Sequence, residues 1–146
     1  MIKFLSIFVL LGLLACQGKN SVQNPKDNQL KEMKTSKITN VEFNEEMHNF
    51  GSLQSGEIVV YTFVFTNTGD NNLIIDNVVT DCGCIRADFP KEPVAPGKTG
   101  LIEVEFDSSG LFGRQFKTIE VYANTKKPKQ LAIFAEVQNE QLEIKY

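Results

Sequence analysis

A chain of 146 residues is sized for one domain with its own core, and eleven Phe with no Trp suit alternating strands packed on Phe. The net charge of −3 conceals a division at about Ile38: five Lys against Asp27 and Glu32 give Gln17–Lys37 a charge of +3, while nine basic and sixteen acidic residues leave −7 from Ile38 onward. An acidic folded part on a basic tether excludes nucleic acid, which needs Lys and Arg clustered on the fold, and a single histidine with no Gly-x-Ser-x-Gly or His-Glu-x-x-His pattern argues against an enzyme.

Met1-Ile2-Lys3 is a short positive start, and Phe4–Leu14 is an apolar run far below the ~20 residues of a spanning helix. It has no polar face, so it does not read as a buried amphipathic helix. Residues 1–15 are expected to be a leader, because Leu13-Leu14-Ala15-Cys16 resembles the lipobox of bacterial lipoproteins. That resemblance implies a lipid on Cys16 that tethers the chain to a membrane. With the non-acidic Gln17 next, it also implies the periplasmic face of the outer membrane. Residues 16–37 then form the anchor and a tether rich in Asn, Gln, Lys and Ser, with too few apolar groups to offset the entropy of ordering. Its composition reads first as a solvated linker, and second as a basic strip drawn to an anionic membrane surface.

From Ile38 to residue 138 the apolar period is two. Ile38–Phe43 is expected as a first strand, and Met47–Gly51 leads into a turn at Gln54-Ser55-Gly56, with His48 placed in a loop. In Glu57–Asn67, Val59, Tyr61, Phe63 and Phe65 share one face, which fits a strand buried on one side. Asn67–Asn72 is dense in turn formers. Leu73–Thr80 is the next strand, and its interrupted alternation calls for a bulge near Asp76-Asn77.

Asp81-Cys82-Gly83-Cys84 follows, and Pro96-Gly97 suits a type II turn. Ile102, Val104 and Phe106 alternate inward against Glu103 and Glu105 in solvent. Ser108–Gly113 reads as a hairpin loop. Ile119, Val121 and Ala123 mark another core face, Asn124–Pro128 a turn, and Leu131, Ile133, Ala135 and Val137 the last strand. Residues 139–146 read as a loosely docked tail. About seven short strands with no amphipathic helix predict an all-β, immunoglobulin-like sandwich.

Phe50-Gly51, Gly56, Phe63-x-Phe65, Asn67-Thr68-Gly69, Leu73-x-Ile75, Cys82-Gly83-Cys84, Pro96-Gly97, Gly113-x-x-Phe116 and Ile119-x-Val121-x-Ala123-Asn124 together resemble the bacterial domain of unknown function family 1573. The resemblance covers nearly all of Phe43–Val137 and departs at Ala135, where the family carries Gly. It implies a fold like the immunoglobulin-like domains of Hydin-type proteins and major sperm protein. An adhesion or assembly module with an envelope protein partner follows from it, with no cofactor.

If Cys16 carries lipid, Cys82 and Cys84 remain as an even pair in an oxidising compartment. They form a local disulfide, a reactive dithiol, or two small apolar fillers at a strand end. Positions i and i+2 of a straight strand lie about 6.6 Å apart, so a bond requires a kink, which Gly83 permits. Two thiols and one histidine cannot complete a four-ligand zinc site. Cu(I) accepts fewer, softer ligands, which makes Cys82 and Cys84 with Met47 or His48 the competing thiol or copper reading. Finally, if Ile119 and Val121 face inward, Phe116, Tyr122 and Phe134 share the opposite face as a partner surface. A one-residue slip in register would bury them instead.

Overall fold

The computed structural model describes residues 37–138. The expected leader, the anchor at Cys16, all of the tether but Lys37, and the tail at 139–146 lie outside the described residues. The elements in chain order are β1 (Val41–Phe43), β2 (Met47–Gln54), β3 (Ile58–Asn67), β4 (Ile75–Thr80), β5 (Ile85–Asp88), β6 (Thr99–Asp107), β7 (Gly113–Ala123) and β8 (Lys129–Gln138). They build two four-stranded sheets, ordered β1-β3-β6-β5 and β2-β8-β7-β4. Every neighbouring pair is antiparallel except β2 and β8.

The alternation fixes the core. Phe63 and Phe65 of β3, Ile102, Val104 and Phe106 of β6, Ile119 of β7 and Leu131 of β8 are wholly buried between the sheets. Each such side chain contributes about 1.5–3 kcal/mol by leaving water. Rings from the two layers meet across the interior, with Phe50 of β2 stacked at 6.4 Å on Phe106 of β6. The expected bulge in β4 falls between Ile75 and Asn77. Gly97 has φ of 72°, and the amide of Lys98 donates to the carbonyl of Ala95 at 3.0 Å, which closes the type II turn.

A polar hub stitches one end of the sandwich. The Asn67 side chain is fully buried, its amide nitrogen donating at 2.8 Å to the carbonyls of Asn71 and Val94. Its oxygen accepts from the Thr39 hydroxyl at 2.9 Å and the Gly69 amide at 3.1 Å. At Gly69 the chain passes so close that an added Cβ would lie 2.2 Å from Thr39 Oγ1. The sequence Asn67-Thr68-Gly69 is therefore a structural lock on the entering segment.

The topology corrects several expectations. The first strand is shorter than Ile38–Phe43; Thr39 bridges instead to Thr125 in the connection between β7 and β8. Met47–Gly51 does not merely lead into a turn, since it is the body of β2, parallel to β8, and His48 is a strand residue. Ser108–Gly113 is not a hairpin loop: β6 and β7 belong to different sheets, and this segment crosses between them. Ser108 anchors the crossing, fully buried, with its hydroxyl bonded to the carbonyls of Gln54 and Glu57. Among the described residues the strands number eight, against about seven expected, because Ile85–Asp88 pairs with β6 as an edge.

Candidate functional site

Two short connections close the sides of the sandwich. Asn44–Glu46 joins edge strand β1 of one sheet to edge strand β2 of the other, and Asp81–Cys84 joins edge β4 to edge β5. The cysteine motif therefore sits on a seam between sheets, beyond the end of β4. Cys82 and Cys84 are joined by a disulfide with a Cα–Cα distance of 5.2 Å, and both pack partly buried against the core. Gly83 does not use a left-handed conformation, and an added Cβ there would meet nothing within 4 Å. The kink expected of Gly83 is thus made without any demand for glycine.

Backbone and side-chain bonds hold this turn independently of the sulfurs. The Asp81 carboxylate accepts from the Thr118 amide at 2.9 Å and from its hydroxyl at 3.3 Å, fastening the turn to β7. The Thr80 hydroxyl and the Ile85 amide donate to the Cys82 carbonyl, and the Asp107 amide donates to the Cys84 carbonyl at 2.9 Å. Bonds from the Ser109 hydroxyl and amide hold the Asp107 carboxyl below its usual range, with the charge of Arg86 adding to them.

The structure does not assemble the copper reading. Met47 lies on β2 and the cysteines follow β4, at opposite edges of one sheet and about 14 Å apart across three strand spacings. Among the described residues no group of three or more His, Cys, Asp or Glu is placed to hold a metal. His48 is engaged elsewhere: its ring stacks on Tyr61 at 3.6 Å, meets the edge of Phe50 at 4.8 Å, and its Nδ1 lies 3.4 Å from Glu45. Tyr61 in turn donates to Glu45, and that bond holds its phenol above the ordinary value.

The outer face of the β2-β8-β7-β4 sheet carries the aromatic residues. Phe116 of β7 is directly opposite Phe134 of β8, and Phe134 is in turn opposite Asn49 of β2. Phe116 is 58% exposed and Tyr122 is 39% exposed, while Phe134 is half-buried. Two further apolar side chains join this face, Met47 at the β2 edge and Val79 at the β4 edge. Sequence reasoning did not place Met47 and Val79 beside the rings, because they come from strands distant along the chain. It also missed Asp81 as the fastening of the turn; its one local signal was a carboxylate just before the first cysteine.

Comparison with known proteins agrees with this architecture. A protein of unknown function from Porphyromonas gingivalis W83 superposes with a TM-score of 0.61 at 18% identity, over 69% of this chain and 48% of that one. This chain thus spans about half the length of that relative. The ASH / PapD-like domain 7 of human CEP192 matches with a TM-score of 0.58 at 10% identity, over 94% of this chain and 99% of that one. The VesB protease of Vibrio cholerae matches with a TM-score of 0.56 at 15% identity, over 75% of this chain but only 34% of that one. At these identities the likeness is one of fold, an immunoglobulin-like sandwich. No curated protein matches the sequence. The family model described as protein of unknown function (DUF1573) matches residues 41–137, and the chain belongs to that family.

Proposed function

We propose that this chain is a lipid-anchored protein of the bacterial cell envelope whose immunoglobulin-like domain binds another envelope protein and performs no catalysis. The contact surface is the outer face of the β2-β8-β7-β4 sheet. The observation that carries this reading is the exposed Phe116 beside Phe134, with Tyr122, Met47 and Val79 on the same face. Aromatic and Met side chains are enriched where proteins meet, and here they stand on one sheet face with Glu120 and Glu136 among them. The partner that fits is a protein with an apolar patch rimmed by basic groups. The anchor rests on Leu13-Leu14-Ala15-Cys16, and the basic residues of the tether would lie toward an anionic membrane surface.

The test is site-directed cross-linking in envelopes of cells that produce the full chain. Phe116→Asp should abolish the cross-linked partner, whereas Val60→Asp, on the exposed face of the other sheet, should leave it unchanged. Loss in both variants, or in neither, refutes the assigned face. A dimer of the purified chain that Phe116→Asp dissociates would replace the foreign partner with a second copy. The anchor is tested separately: Cys16→Ser should move the protein to the soluble fraction, and continued pelleting in high salt, which screens the tether, refutes lipidation.

A further inference from the structure

We infer that the Cys82–Cys84 disulfide is an exchangeable redox site that accepts electrons from cysteine thiols of other polypeptides. Three observations carry this, and none depends on the protein-binding face. The first is how little the bond closes: one residue separates the two cysteines. Cross-linking so short a loop removes far less entropy from the unfolded chain than a long-range bridge does, so the bond stabilises the fold by under ~2 kcal/mol. Linkage makes that relation reciprocal: a fold stabilises a disulfide by the same free energy with which the disulfide stabilises the fold. The pair therefore keeps an oxidation equilibrium near that of an unconstrained short peptide. Structural staples, by contrast, resist reduction by thiol buffers.

The second observation is that hydrogen bonds hold the turn alongside the sulfur–sulfur bond. Asp81 is tied to Thr118, and the carbonyls of Cys82 and Cys84 accept from Ile85, Thr80 and Asp107. Those bonds do not pass through the sulfurs, so reduction and reoxidation require no rearrangement of the sheets. The third is access. Cys82 and Cys84 are half-buried and flank the exposed Gly83, at a seam where the chain passes from one sheet edge to the other. A turn at the surface meets a cysteine on a large partner without needing a cleft, which suits a polypeptide thiol.

The step balances as follows. A substrate thiolate attacks one sulfur of the Cys82–Cys84 bond, forming a mixed disulfide and releasing the other sulfur as a thiolate. The second cysteine of the substrate then attacks the mixed disulfide. The substrate leaves oxidised, and Cys82 and Cys84 are left as thiols carrying its two electrons and two protons.

The experiment uses the full chain with Cys16→Ser, so that the third thiol does not contribute. The protein is equilibrated in graded mixtures of reduced and oxidised glutathione, quenched with acid, alkylated and weighed intact. The pair should pass from oxidised to reduced within glutathione ratios that leave structural disulfides closed. A model peptide dithiol should be oxidised stoichiometrically by the oxidised protein. Cys84→Ser, or its counterpart Cys82→Ser, should lower that rate at least ~10-fold, because neither can hold an internal disulfide. Circular dichroism of both variants checks that the sandwich remains. A pair that stays oxidised until the protein is unfolded makes the bond structural and overturns the proposal. Thiols that stay free in oxidised glutathione overturn it as well, leaving Cys82 and Cys84 as fillers.

Discussion

Replacing Asn67 with Ala should be among the most damaging single changes to this domain, although it removes no apolar contact of the core. Four hydrogen bonds end on that side chain: two donated to the carbonyls of Asn71 and Val94, two accepted from Thr39 and Gly69. Neutral bonds of this kind contribute about 1 kcal/mol each. Thr39 is only 3% exposed, so water cannot readily replace the partner its hydroxyl loses. Together these give a destabilisation of roughly 3–5 kcal/mol, against the ~5–15 kcal/mol that holds a typical domain. Urea unfolding of the Cys16→Ser chain should show the midpoint falling by about 2–3 M with an unchanged slope. Asn67→Asp should be no better. It keeps the acceptor but turns a carboxylate toward two carbonyls that have lost their donors. Asn71→Ala is the control, since its own side-chain bond, to the carbonyl of Ile38, is exposed. A midpoint shift below ~0.5 M for Asn67→Ala, or rescue by Asp, would refute the reasoning.

Four other changes test the remaining parts of the structure. Phe106→Ala, at a ring with no exposure, should cost about 3–5 kcal/mol in the same unfolding assay, whereas Val60→Ala at 52% exposure should stay within about 0.5 kcal/mol. The double change Cys82→Ser with Cys84→Ser should alter stability by less than ~2 kcal/mol; a loss above ~3 kcal/mol would mean that the short loop is a staple after all. Bonds to Glu45 and Glu120 hold the phenols of Tyr61 and Tyr122 above their ordinary value. The folded state therefore retains protons that the unfolded chain releases near pH ~10. The stabilisation is complete below that pH and is lost as pH rises through the folded-state values. Phenolate absorbance should rise at higher pH in the native protein than in urea, and Glu120→Gln should bring Tyr122 down; coincident titrations would disprove the bonds.

What the sequence determined by itself was everything carried by the local period. The inward sets Phe63 and Phe65, Ile102 to Phe106, and Leu131 to Val137 are buried as their alternation requires, because a pleated strand turns every second side chain to the same side. The turn at Gly97 and the bulge at Asp76-Asn77 were legible for the same reason, each being set by a few adjacent residues. Which strand lies beside which was decided only by the tertiary structure. Met47–Gln54 mixes polar and apolar residues with a glycine and has no distinct period; it is a strand because β8, nearly a whole domain away in sequence, offers a free parallel edge. Ser108–Gly113 has the composition of a hairpin, yet the burial of both flanking strands sends the chain across to the other sheet. The same long-range choice made Asp81–Cys84 a clasp between two sheet edges and set Met47 and Val79 on the face of Phe116. Strand partners are selected by shared burial across the whole core, and no window of neighbouring residues contains that information.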